Sequence, residues 1–64
     1  MEQSYDKEED ILHIEFSDGD YWKSIELPNG VVIDLDKDGK ILSIEFLRAS
    51  KIFSGDTKKV IGLI

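Results

Sequence analysis

Two segments with nearly the same sequence, ILHIEF at 11–16 and ILSIEF at 41–46, constrain the fold of this chain more than any other feature. In the first, Leu12, Ile14 and Phe16 alternate with His13 and Glu15; in the second, Leu42, Ile44 and Phe46 alternate with Ser43 and Glu45. A two-residue period is the signature of a strand with one face buried, because successive side chains leave a pleated strand on opposite sides. The similarity reaches upstream. Aligning YDKEEDILHIEF with LDKDGKILSIEF at an offset of 30 gives seven identities in twelve positions, among them the pairs Asp6/Asp36 and Lys7/Lys37. Each copy therefore reads as a whole hairpin: a strand, a charged turn and an apolar strand.

The rest of the pattern follows the same period. Tyr21, Lys23, Ile25 and Leu27 alternate with Trp22, Ser24 and Glu26, while Val31, Ile33 and Leu35 alternate with Val32, Asp34 and Asp36. SDGD, PNG and DKDG separate the strands, and Asp-Gly and Asn-Gly supply the positive φ angles of tight turns. A short strand over 4–6 and the polar turn KEED precede the first apolar strand, and LRASKIF is compatible with one or two helical turns. SGDT reads as a loop, and KKVIGLI fits a strand, a helix or a tail. The expected fold is mainly β, with a small α+β arrangement as the variant. It is a single-layer twisted antiparallel meander of about five strands over one domain, 1–64, with a short helical segment after Phe46 packed on the sheet. In that meander the two hairpins flank the strand at 21–27. The turns then alternate between the ends of the sheet, bringing Asp18, Asp20, Asp36 and Asp38 to one end.

Composition narrows the functions open to such a sheet. A chain of 64 residues buries only about 60% of the surface that its unfolded form exposes, and with no cysteine it has no disulfide to compensate. A protein partner or a homodimer is the expected remedy. Fourteen acidic residues against eight basic ones leave a net charge of −6, which repels nucleic-acid phosphates and anionic lipid and suits a basic protein or a cation. No basic segment followed by an apolar one opens the chain, and the longest apolar run is VIGLI. No membrane association and a cytoplasmic location are the expectations.

Several motifs carry chemistry on paper. DLDKDGKILSIE at 34–45 fits the spacing of an EF-hand calcium loop, with Asp34, Asp36 and Asp38 at its first ligand positions, Gly39 at the sixth and Glu45 at the twelfth. Its flanks, however, alternate with the period of strands. An extended segment from Gly39 carries Glu45 roughly 20 Å from the turn, out of reach of an ion held there. The string is better read as a hairpin whose aspartates bind backbone amides. A looser Ca or Mg site at Asp18, Asp20, Asp36 and Asp38 is the alternative, and otherwise no cofactor is expected. His13 is a lone imidazole with no cysteine and few placed serines to complete a nucleophilic site, and so small a chain lacks the water-excluding cleft of acid/base catalysis. The chain is not expected to be an enzyme. Trp22 falls on the second face with Ile11, Val32, Ile41 and Leu47, among His13, Glu15, Glu26, Asp34 and Glu45. Either the C-terminal segment covers that patch, or an indole ringed by carboxylates serves as a protein interface built on Trp22, His13, Ile11, Val32 and Ile41.

The order YDKEEDILHIEFSDG, then PNGVVIDLDKDGKILSIEFLRASK, resembles the prokaryotic domain of unknown function family 2283 (DUF2283) over residues 5–51. The shared features are a Tyr-Asp start, an alternating strand ending in Phe-Ser, an acid-rich Asp-Gly turn and a closing Glu-aliphatic-x-x-Ala-Ser-Lys segment. No activity or catalytic residue is implied. Members are often encoded beside small toxin-like proteins, so the resemblance implies an antitoxin-like role against a small basic protein. Trp22, Lys23 and the VIGLI extension depart from the family pattern and leave the partner and the oligomer open.

Overall fold

The computed structural model describes residues 1–53. Five strands, β1 (Glu2–Asp6), β2 (Ile11–Glu15), β3 (Tyr21–Glu26), β4 (Val31–Asp36) and β5 (Ile41–Leu47), are followed by a one-turn helix, α1 (Ala49–Ile52). The expected five-strand antiparallel meander, mainly β with a short helix behind its last strand, is what the chain forms. The expectations for SGDT and KKVIGLI lie outside the described residues. Among the described residues, no helix is long and apolar enough to cross a membrane.

The order of strands across the sheet is β1-β2-β5-β4-β3. This corrects one expectation: the strand at 21–27 does not lie between the two hairpins but forms an edge. The two repeat strands, β2 and β5, pair with each other instead. The reason is burial. A central strand is covered by neighbours on both sides, and the repeat strands hold the most deeply buried strand residues, Leu12, Ile14, Leu42 and Ser43. Every residue of β3, by contrast, is exposed, and a strand carrying Lys23 and a register shift between Tyr21 and Lys23 is suited to an edge.

The register shows that the sequence repeat is a structural one. In the first hairpin Gln3 faces Ile14, and in the second Ile33 faces Ile44, each partner displaced by 30; Glu2 with Glu15 matches Val32 with Glu45, and Ser4 with His13 matches Asp34 with Ser43. Between the hairpins, Ile14 lies opposite Ile44, its own repeat equivalent. A local two-fold axis perpendicular to the sheet thus passes between these two isoleucines. The turns share a device as well. Asp6 Oδ1 accepts hydrogen bonds from the amides of Glu8 and Glu9, and Asp36 Oδ1 accepts from those of Asp38 and Lys40. The copies part at the positive-φ residue, which is Asp10 (φ 58°) in the first turn and Gly39 (φ 83°) in the second. Because Gly39 falls one place earlier in its repeat, Leu35 pairs with Ile41 rather than Leu42, and the ladder shifts between Asp34 and Leu35.

Side chains directly opposite one another in a ladder share a face. Leu12, Ile14, Ile44, Phe46, Val31, Ile33 and Ile25 therefore line one side of the sheet. Helix α1 packs on that side, where Ala49 joins Leu12 and Ile14 in the core, Tyr5, Phe46 and Phe53 close around them, and the Phe46 and Phe53 rings stand 5.2 Å apart. At the other end, the connection from β2 to β3 must pass two strands, a span of about 14 Å at 4.8 Å per strand spacing. It is anchored as it leaves β2, where the amides of Phe16 and Ser17 donate to the Leu42 carbonyl, and Gly19 lies so close to the Leu42 side chain that a Cβ there would sit 3.3 Å from it.

Candidate functional site

Opposite the helix, the second face is polar, and the ladder arranges it in rows. One row runs Ser4, His13, Glu45, Val32, Glu26; the next runs Glu15, Ser43, Asp34, Ser24. His13 Nδ1 stands 3.5 Å from the Glu45 carboxylate and Nε2 3.9 Å from that of Glu15, so the imidazole lies between two carboxylates, one from its own strand and one from the repeat strand. All three side chains keep about a third or more of their surface in solvent, which limits each ion pair to a surface contribution. In the neighbouring row Asp34 accepts from two hydroxyls, Ser24 at 2.5 Å and Ser43 at 2.8 Å, and the Tyr21 hydroxyl is 2.8 Å from that of Ser24. Ser43 is buried, and this bond satisfies its hydroxyl.

The five residues read from sequence as an interface do not form one patch. His13 and Val32 share a row with Glu45 between them, and Ile11 lies in the next row toward the β1–β2 turn, opposite Leu47. Trp22 and Ile41 belong to the other end of the sheet, at the starts of β3 and β5. Trp22 has no cross-strand partner because the register shifts around it; it is 50% exposed, with the Lys23 ammonium 4.4 Å from its ring centre. The same shift breaks the alternation at Tyr21, which was expected on the face of Lys23 and Ile25 and instead reaches Ser24.

Asp18, Asp20, Asp36 and Asp38 do belong to the same end, as antiparallel pairing throughout requires. The Asp36 carboxylate is occupied by the amides of its own turn. Among the described residues, no three His, Asp or Glu side chains are grouped so as to hold a metal ion. Glu45, the twelfth residue of the calcium-loop string, stands in β5 opposite His13 and Val32, away from the turn.

Sequence reasoning missed the most densely bonded carboxylate among the described residues. The Asp10 carboxylate accepts the Tyr5 hydroxyl at 2.6 Å, the Ser50 hydroxyl at 2.6 Å and the Ser50 amide at 3.0 Å, while its backbone carbonyl accepts the Ala49 amide at 2.8 Å. Asp10 thus takes two amide donors of α1 that the helix cannot satisfy itself, the task of a capping residue, here supplied from a different element. Hydrogen bonds from the Ser50 side chain and then Tyr5 hold this carboxyl below its ordinary range, against the opposing effect of desolvation. The available signal was the spacing of Tyr5 and the Ala49-Ser50-Lys51 segment, whose shared partner the sequence does not name.

No curated protein matches the chain. No solved structure matches it either. One family model, described as "Protein of unknown function (DUF2283)", matches residues 3–50, which covers both hairpins and the start of α1. The Tyr5 and Ser50 ends of the motif that suggested this family meet at Asp10, and the chain belongs to the DUF2283 family.

Proposed function

We propose that this domain works by binding another protein, and that its partner is basic, as in an antitoxin-like pair. The observation that carries the reading is the second face of the sheet. Glu15, Glu26, Asp34 and Glu45 stand there around His13 and Val32, while the described helix packs on the opposite face. In a chain of net charge −6, such a face attracts a cationic partner over a Debye length and leaves Val32 and Ile11 for closer contact. The test uses two baits, the native chain and a Glu15→Lys/Glu45→Lys variant, in affinity capture from the source cells. A basic protein retained by the first and lost from the second is the expected result. Recovery of the same proteins by both baits counts against the reading.

A further inference from the structure

The two edges of the sheet differ in what they offer a second chain. β1 carries Glu2 and Asp6 and no cation. β3 carries one of each sign, Lys23 and Glu26, and is neutral in a molecule of net charge −6. It also holds Tyr21, Trp22 and Ile25 among the exposed large apolar side chains, with Leu27 just beyond. Its backbone is regular where it matters. The Leu27 amide donates to the Val31 carbonyl and Ile25 pairs with Ile33, so the odd-numbered residues of this stretch turn their amides and carbonyls to β4. By the alternation of an antiparallel ladder, Ser24 and Glu26 turn theirs outward.

We propose that β3 is a self-association edge, on which the β3 of a second copy pairs antiparallel with Ile25 opposite Ile25. A two-fold axis perpendicular to the sheet must set one residue opposite its own copy, and the centres along β3 are unequal; centred on Glu26, the ladder opposes two carboxylates. Centred on Lys23, the ladder opposes two ammonium groups. Centred on Ser24, it draws in Trp22, where the register is broken. Centred on Ile25, it spans residues 23–27, between that irregularity and Pro28. Ser24 and Glu26 then exchange their outward amides and carbonyls with Glu26 and Ser24 of the second copy, and Lys23 falls opposite Leu27, so no like charges meet head-on. The cross-strand row Gln3, Ile14, Ile44, Ile33, Ile25 is buried at Ile14 and 42% exposed at Ile25. The second copy covers the exposed end and continues the row across ten strands. This inference does not depend on a basic partner, which the other face would take.

The chain has no cysteine, so single-cysteine variants report the register cleanly. In the closely spaced, non-hydrogen-bonded position, two cysteines lie about 4.5 Å apart at Cα, within the range a disulfide spans. With oxidised glutathione, Ile25→Cys is expected to form a covalent dimer at least tenfold faster than Gln3→Cys, at the other end of the same row. By sedimentation, Ile25→Lys should weaken the dimer at least tenfold, and Gln3→Lys, with the same charge change, should leave it unaltered; circular dichroism of each variant confirms that the sheet persists. A native chain that is monomeric at millimolar concentration, equal crosslinking at positions 25 and 3, or loss of association in Gln3→Lys but not Ile25→Lys each overturns the proposal.

Discussion

At the scale of single residues, Asp10, Leu12 and Gly39 each carry a distinct physical burden. Asp10 ties the first turn to α1 through three hydrogen bonds and to Tyr5 of β1 through a fourth, and its carboxyl is held below its ordinary range by Ser50 and Tyr5. A group whose pKa is depressed on folding contributes stability above its unfolded value, and that contribution fades as the pH falls through the folded value. Asp10→Asn should therefore lower Tm at neutral pH and flatten the loss of stability below pH about 4, near the unfolded carboxyl value; thermal melts at pH 7 and below pH 4 check both. Leu12 is fully buried at the centre of the core, with Ala49 beside it. Its replacement by alanine should cost about 2–5 kcal/mol in urea unfolding. Gly39 has open space around it, so the cost of Gly39→Ala is conformational alone, about 1–2 kcal/mol for forcing a Cβ into the left-handed region. Gly39→Asn should recover much of it, since asparagine visits that region readily.

At the scale of elements, the sheet is assembled from two hairpins joined back to back at Ile14 and Ile44, with β3 appended to the outer strand of the second. The turn aspartates are equivalent in role, each accepting two amides of its own turn. Asp6→Ala and Asp36→Ala should thus depress Tm by similar amounts, a comparison made by calorimetry under one condition. A clear inequality would show that the glycine turn and the aspartate turn differ more in energy than their shared hydrogen bonds suggest. Helix α1 is too short to be stable by itself, since a single turn bears the full cost of nucleation. It persists because Ala49 is buried against β2, Phe53 meets Phe46, and Asp10 receives its free amides.

At the scale of the whole molecule, the excess of acid is a property of the surface. Self-repulsion among carboxylates at net charge −6 opposes compaction, and salt screens it over about 10 Å at 0.1 M. Raising sodium chloride from low concentration toward physiological strength should accordingly increase Tm, as followed by circular dichroism. Much of this architecture was legible beforehand because it is local: the two-residue period marks strands, Asp-Gly and Asn-Gly mark turns, and an offset of 30 marks the repeat. That the four aspartates lie at the same end of the sheet was legible too, because strands that alternate in direction along the chain force it whatever their order. The interface residues were less so. Alternation by itself carries the strand period through Tyr21 and Trp22, whereas the irregularity in the ladder there is written in pairing with β4, not in the strand's own residues. What the sequence by itself determined was each strand, each turn and the kinship of the hairpins, since these follow from neighbouring side chains and backbone preference. Only the tertiary structure decided which strands became neighbours. It paired β2 with β5, left β3 at the edge and brought Asp10 to Ser50, 40 residues on, because burial is a property of the assembled sheet and no single segment can express it.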